Sequence, residues 1–224
     1  MKHLIAALLL LAFAATANAQ TVLTLTESAE REIVQDRLTV SLRAEANAAT
    51  AAAAQAEINR RMEAAVARAK TVAGVTVQTG GAWANEERVQ GRPVRWRAVA
   101  TLDLISSDAA SLLALVGGLQ ETGLAISGMG FDLTREAARA AQDALTEEAL
   151  VRLQARAARV AAALDRRVAA IRTIRIGETG NAMPQPRMAL RAAAMADAAP
   201  APVAEPGRTS VRIDVEAEIL LEPK

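Results

Sequence analysis

The last apolar stretch of the chain, residues 211–221, alternates apolar and charged side chains except at Leu220. A period of two is typical of a strand with one buried and one polar face. Residues 36–46 show the same pattern, with Leu38, Val40 and Leu42 on one side and Arg37 and Thr39 on the other. Strands with one polar face are characteristic of antiparallel sheets, so this pattern indicates a mainly antiparallel sheet.

Apolar residues recur every three or four positions in two other stretches, which predicts amphipathic helices. The shorter helix is expected over residues 50–72, with Ile58, Met62 and Val66 on its buried face and Asn47 or Thr50 as its cap. The longer is expected over residues 135–164. It would extend about 45 Å, so we expect one end to protrude or to pack on a neighbouring subunit.

Further strands are predicted at residues 22–26, 75–79, 83–89, 94–105, 125–133 and 170–176. Residues 27–32 are interpreted as a connection, and Gly80-Gly81 as a sharp turn or a bulge. A short helix from Ser107 or Asp108 is expected to end at Gly117-Gly118. Together these patterns predict an α+β fold, a mainly antiparallel sheet with a long and a shorter amphipathic helix packed on one face.

The first nineteen residues have the features of a secretory signal. Lys2 and His3 precede an apolar run, and Ala17-Asn18-Ala19 matches the small-x-small pattern at which signal peptidase cleaves. We therefore expect a periplasmic protein that begins at Gln20 and has no transmembrane anchor after cleavage. Residues 20–224 are interpreted as a single domain, in which residues 178–207 form a loop rich in proline, methionine and alanine before the final strand.

Without the signal the chain is poor in reactive groups. The sequence has no cysteine and no tyrosine, and its one histidine is His3. Most nucleophiles, imidazole bases and soft metal ligands are therefore missing, no disulfide can form, and no cofactor is predicted. Lys2 accounts for the difference between 26 basic and 25 acidic residues, so the processed chain has no net charge and nucleic acid is not expected as a partner.

Carboxylates are the remaining candidates for chemistry. Asp36, Asp103 and Asp132 lie at or near predicted strand ends, where a hydrolase could bring two of them together. The alternative, that they are turn and cap residues in solvent, is favoured because nothing in the sequence specifies their separation. Likewise, Asp143, Glu147 and Glu148 on the long helix could ligate a hard cation, but a solvated helix face paired with arginines is favoured.

Five residues are candidates for an interaction surface. Met183, Met188 and Met195 lie in the proline-rich segment and could contact a partner, with copper binding a weaker alternative. Trp83 and Trp96 lie in the predicted hairpin, where tryptophan is more often a core residue than part of an interface.

Several local strings, in this order along the chain, resemble the SIMPL-domain family of bacterial envelope proteins. They are residues 36–45, Ala54-Gln55 with Asn59 and Met62, Gly74-Val75, Arg95-Trp96-Arg97-Ala98, Gly128 with Phe131, residues 155–164 and residues 202–207. The chain departs from the family pattern at Gln35, at Thr26-Glu27-Ser28, at Trp96, and at Asp165, where a helix-ending glycine is usual. The resemblance implies no active site. It implies an envelope protein that forms large homo-oligomers and is linked to stress resistance.

Three functions are therefore compared. The first is a non-enzymatic periplasmic protein that assembles with itself. The second is a binding module that recognises a peptide or another envelope protein through residues 178–207. The third, less favoured, is a hydrolase that uses two carboxylates.

Overall fold

The computed structural model describes residues 21–88, 95–178 and 202–224. The described residues form seven strands and three helices, and the chain divides into two compact units. The four-stranded unit contains residues 31–142 and 202–211, and the three-stranded unit contains residues 21–30, 143–178 and 212–224, with the gaps just given. The predicted α+β class is confirmed, with the strands divided between two antiparallel sheets.

The four-stranded sheet has the order β3-β4-β2-β5. Its strands are β2 (Arg37–Ala48), β3 (Thr76–Glu87), β4 (Arg95–Ser106) and β5 (Ala125–Asp132). β2 pairs antiparallel with both β4 and β5, and β3 pairs antiparallel with β4. The prediction of a strand at residues 36–46 is confirmed, and that strand lies at the centre of the sheet.

One face of this sheet is covered by two helices, α1 (Ala51–Ala69) and α2 (Ala109–Gln120). The alternate residues Leu38, Val40 and Leu42 of β2 are fully buried against Ile58 of α1 and Leu112 of α2. Thr50 is the N-cap of α1, since its hydroxyl oxygen accepts a hydrogen bond from the amide of Ala53 at 3.2 Å. The predicted helix and one of its two predicted caps are therefore confirmed.

Helix α2 continues through Gly117 and Gly118, where the sequence predicted its end. Gly118 lies against α1, whose Arg68 donates a hydrogen bond from Nη1 to the carbonyl oxygen of Gly118 at 2.7 Å. A Cβ atom at position 118 would collide with this guanidinium group. The glycine thus provides room for a helix-to-helix contact, and Gly123, with φ of +91°, follows the helix instead.

The three-stranded sheet has the order β1-β7-β6. Its strands are β1 (Thr21–Val34), β6 (Arg166–Glu178) and β7 (Arg208–Pro223). Helix α3 (Arg135–Ala163) has a buried row in this unit, made of Leu145, Ala149, Leu153, Ala157 and Ala161. The alternate residues of β7 that the sequence predicts as buried, among them Ile213, Val215 and Ile219, form the rest of this small core.

Two predicted interruptions are continuous strand in the structure. Residues 27–32 belong to β1 and do not form a connection, because Leu25 and Ala29 are buried on one face of the strand and Glu27, on the same face, is paired with Arg156 of the long helix. Gly80-Gly81 forms a bulge within β3, between Thr79 and Ala82, so the bulge is the alternative that is realised. A Cβ atom at Gly80 would overlap the hydroxyl group of Thr101 on β4.

Candidate interaction surface

The edge strand β6 carries a row of exposed apolar side chains, which we call the β6 stripe. Its four members are 39%, 39%, 42% and 51% exposed, and they are Val168, Ile171, Ile174 and Ile176. In the β6–β7 register they lie opposite the buried β7 residues Leu221, Ile219, Ala217 and Val215. The stripe therefore continues the helix-facing side of the sheet, and α3 buries that side at β7 but leaves it half-exposed at β6.

Two bulges place these residues on one face. The β6–β7 register shifts between Val168 and Ala170 and again between Ile171 and Thr173, so Ala169 and Arg172 are extra residues in β6. Without a bulge, residues three apart such as 168 and 171 would point to opposite faces of the sheet. The bulges thus collect apolar residues on one exposed face.

A small apolar cleft lies where α3 and β6 meet. Its volume is about 140 Å³, and it is lined by Leu153 and Ala157 of α3, Val168 and Ile171 of β6, and Ile219 of β7. Ligand sites for cofactors or substrates usually enclose at least about 300 Å³. This cleft has the size of cavities that accept a single benzene ring, so it suits one apolar side chain of a partner.

The opposite side of β6 is basic. Nε of Arg167 lies 3.0 Å from Oε1 of Glu222, and Nη1 of Arg175 lies 3.6 Å from Oε2 of Glu216. Both glutamates belong to β7, so these pairs neutralise two of the four arginines of β6. Arg172 makes no ion pair with any residue in the described part of the chain.

The other edge of the same sheet, β1, is occupied by side chains from α3. Arg156 donates hydrogen bonds from Nη1 to the carbonyl oxygen of Thr26 at 3.3 Å and to the carboxylate of Glu27 at 2.7 Å. Arg152 donates to the carbonyl oxygen of Ser28, also at 3.3 Å. Carbonyl groups that already accept hydrogen bonds are less available to an incoming strand, whereas β6 has no further strand beside it within the described ranges of the chain.

The two tryptophans are in different environments. Trp83 is 49% exposed, and its partner in the register is Val99, on the sheet face away from α1 and α2. Trp96 is half-buried and packs against the hydrophobic core of the four-stranded unit. The predicted interface residues Met183, Met188 and Met195 lie outside the described residues, and recognition through residues 178–207 stays a prediction.

The three candidate catalytic aspartates do not form one cluster, although Asp36 and Asp132 are neighbours. Asp132 accepts two hydrogen bonds from Arg37, at 2.5 and 2.9 Å, and Asp103 accepts one from Ser41 at 2.5 Å. Arg37 and Ser41 are four residues apart on β2, which places their partners roughly 13 Å apart along the sheet. Asp36 lies beside Asp132, since its amide donates to the carbonyl oxygen of Asp132 at 3.0 Å.

Asp36 holds the start of helix α3. Its carboxylate accepts hydrogen bonds from the amide and the hydroxyl group of Thr134, at 2.7 and 2.8 Å, and the Thr134 hydroxyl oxygen in turn accepts one from the amide of Ala137. Asp36 is exposed, and the small loss of solvation at this site raises the pKa of its carboxyl, but the hydrogen bonds from Thr134 outweigh this effect, so the pKa lies below its usual value. The arrangement is that of a helix cap.

The carboxylates of α3 are exposed or paired with arginine. Asp143 and Glu147 are exposed, and Glu148 accepts a hydrogen bond from Arg152 at 2.5 Å. Among the described residues, no group of three or more histidine, cysteine, aspartate or glutamate side chains is arranged to hold a metal ion.

None of the helices within the described ranges is long and apolar enough to span a bilayer. The alternating strands, the long helix and the final strand after residue 207 together have the element order that the resemblance implied. The model of the SIMPL family, described as a protein of unknown function (DUF541), matches residues 23–219. The chain belongs to the SIMPL family. No curated protein matches this SIMPL protein significantly.

Sequence reasoning missed the β6 stripe. Residues 170–176 were predicted as a strand, and the alternation of apolar residues with arginine was a visible signal. The alternation does not reveal that α3 covers β7 fully and β6 only in part, because that depends on packing within the unit.

Proposed function

We propose that this SIMPL protein is an exported, non-enzymatic envelope protein that associates with itself through the β6 stripe. The observation that carries the proposal is the half-exposed row of one valine and three isoleucines along β6, which is an edge strand in the part of the chain that the structure describes. Contiguous apolar surface of this kind marks sites of protein association. An open edge also offers unpaired backbone groups to another strand.

Export is supported by the amino-terminal sequence, with its basic start, apolar run and Ala17-Asn18-Ala19. The absence of cysteine from the sequence fits a protein that folds outside the cytoplasm without disulfides. The link to stress resistance that the family resemblance implied stays a prediction.

The non-enzymatic part of the proposal is supported by composition and by the placement of the carboxylates. Beyond residue 19 the sequence contains no histidine, cysteine or tyrosine. Each of Asp36, Asp103 and Asp132 is engaged by a neighbouring side chain, with Thr134, Ser41 and Arg37 as the respective partners. These contacts are what structural cap and cross-strand residues make.

The test is the mass in solution of the processed chain, residues 20–224. Sedimentation velocity over a range of concentrations should show reversible association. The double variant Ile174→Lys/Ile176→Lys places two charges in the stripe, and we expect it to weaken association at least tenfold. Both side chains are exposed at the edge of the sheet, so the fold should persist, which circular dichroism would verify.

Val151→Lys is the matched control. Val151 is 65% exposed, and it lies two residues from both Ala149 and Leu153, which places it on the opposite side of α3 from the buried row. We expect this variant to associate like the wild type. A wild-type protein that remains monomeric at every concentration contradicts the proposal, and so does a double variant that associates normally.

A further inference from the structure

The exposed tryptophan Trp83 has no part in the association proposed above. It lies on the face of the four-stranded sheet that points away from α1 and α2, which we call the open face. Its neighbour on β4 is Val99, and the next residue in the same row is Glu45 of β2. Val99 is only 2% exposed, whereas Trp83 beside it is 49% exposed. A large aromatic ring thus stays at the surface next to a buried position, and aromatic side chains with such a placement are enriched at binding sites.

Planar polar groups border this ring. The adjacent row of the open face consists of Asn85, Arg97 and Asn47, about 7 Å further along the strands. The carboxylate of Glu45 accepts hydrogen bonds from Arg97 at 3.0 and 2.5 Å, and its Oε1 lies 2.8 Å from Nη2 of Arg43. The side chains of Arg43 and Arg97 nevertheless remain 47% and 40% exposed. Their guanidinium groups are therefore held in place and still accessible to a ligand.

On its other side, the ring of Trp83 is bordered by a glycine. Gly80 faces the same way as Thr101 of β4, since a Cβ atom at Gly80 would overlap the Thr101 hydroxyl group. The bulge in β3 thus puts a residue without a side chain next to the tryptophan along the strand. The surface is low at this point, so a ligand that stacks on the ring has room to extend.

Basic and acidic side chains are balanced on the open face. Among the described residues, the register places four of each kind on it, namely Arg37, Arg43, Arg95 and Arg97, and Glu45, Glu87, Asp103 and Asp132. A surface without net charge does not attract a polyanion. An aromatic ring among hydrogen-bond donors and acceptors suits an uncharged ligand that has both an apolar face and many polar groups. Sugars have this character, because their C–H face packs on an aromatic ring while their hydroxyl groups bond to polar side chains.

We propose that the open face of the four-stranded sheet binds an uncharged chain of N-acetylated sugars. Trp83 stacks against one sugar ring, and the guanidinium group of Arg97 donates hydrogen bonds to hydroxyl groups. A side-chain amide donates and accepts hydrogen bonds at neighbouring atoms, as an acetamido group does, so Asn85 and Asn47 match that group. This site belongs to the four-stranded unit and does not depend on association through the β6 stripe.

Titration of the processed chain with tri-N-acetylchitotriose tests the proposal. The sequence contains two tryptophans, Trp83 and Trp96, so Trp96→Phe and Trp83→Phe each leave one fluorescent reporter. We expect saturable binding in the millimolar range or tighter. Trp96→Phe should keep both the wild-type affinity and the change in fluorescence on binding, and Trp83→Phe should lose that change.

Calorimetry measures how much each side chain contributes. Trp83→Ala should weaken binding at least tenfold, because a central aromatic contact is lost. Asn85→Ala removes hydrogen bonds at an exposed position, so we expect a loss of about three- to tenfold. Circular dichroism would verify that both variants fold.

The double variant Ile174→Lys/Ile176→Lys separates this proposal from self-association. It should bind tri-N-acetylchitotriose like the wild type, and Trp83→Ala should associate with itself like the wild type. Each of the two proposals can therefore fail while the other stands.

Three outcomes would overturn the sugar site. The first is a wild-type protein that does not bind tri-N-acetylchitotriose at millimolar concentrations. The second is equal loss of affinity in Trp96→Phe and Trp83→Ala, which would place the site elsewhere. The third is tighter binding of trigalacturonate, an acidic sugar chain, which would show that the open face selects for negative charge.

Discussion

The two sheets of this protein are covered to different extents. In the four-stranded unit, α1 and α2 bury one face so fully that Leu38, Leu42, Leu102 and Leu104 are 0% exposed. In the three-stranded unit, α3 buries the alternate residues of β7, but the equivalent residues of β6 remain about 40% to 50% exposed. Strands with the same alternation of apolar residues therefore form a buried core in one unit and a partly exposed surface in the other.

The two edge strands of the three-stranded sheet also differ in the side chains that they carry or contact. β1 is protected by arginines from α3, which is one way in which proteins prevent unwanted strand addition. β6 carries bulges and arginines, which also discourage indiscriminate pairing, yet keeps four large apolar residues on one face. An edge that combines these features is suited to a specific partner.

The largest expected effect is on the free energy of unfolding, and one substitution in each unit shows the difference between them. Leu42→Ala removes a fully buried side chain from the four-stranded unit, and we expect the free energy of unfolding to fall by about 2 to 5 kcal/mol. Ile174→Ala removes a side chain that is 42% exposed, and the loss should be below about 1 kcal/mol.

Urea denaturation followed by circular dichroism measures both variants. It should be repeated at two protein concentrations, because association stabilises the folded state by mass action. We expect the stability of the wild type to rise with concentration, and that of Ile174→Ala to rise less. If Ile174→Ala lowered the free energy of unfolding by 2 kcal/mol or more in dilute protein, the stripe would belong to the core. The two units would then not differ in how far their sheets are covered.

The elements that local periodicity specifies could be predicted from the sequence. The alternation at residues 211–221 and 36–46 predicted β7 and β2, and the repeat through Ile58 and Met62 predicted α1. These succeed because one buried face imposes its period on the residues that form it. Thr50 as a cap follows from the same local chemistry.

What could not be predicted depends on contacts between elements. Gly118 looks like a helix end until Arg68 of another helix is seen to need the space, and residues 27–32 look like a connection because their charges conceal the buried Ala29. The division into two sheets and the exposure of the β6 stripe depend on which strands a helix covers. No local pattern contains that information.

The stability of the four-stranded unit should depend on pH through the carboxyl group of Asp36. The pKa of Asp36 is below the usual value of 3.8 in the folded protein, so its contribution to stability is present above that value and is lost as the pH falls through the folded pKa. Asp36→Asn should therefore lower stability at pH 7 by less than about 1 kcal/mol, since the site is exposed to solvent.

Thermal or urea denaturation at pH 7 and near pH 3 checks this prediction. We expect the difference between wild type and Asp36→Asn to shrink at the lower pH, where the wild-type carboxyl is increasingly protonated as well. A difference that stays constant or grows as the pH falls would show that the hydrogen bonds from Thr134 do not favour the charged form.

The smallest effect concerns the turn that leads into β6. Asp165 has φ of +55°, a left-handed conformation that glycine adopts without strain, and its carboxylate is 98% exposed and 3.7 Å from the Lys224 ammonium group. Asp165→Gly should relieve the strain but add entropy to the unfolded chain, for a net gain of about 0.5 kcal/mol.

Asp165→Ala is the control, because alanine keeps the strain and loses the tolerance of aspartate for this conformation. It should be less stable than the wild type by about 0.5 to 1 kcal/mol, so that thermal denaturation ranks glycine first, aspartate second and alanine last. Alanine equal to glycine would show that the entry into β6 is not strained.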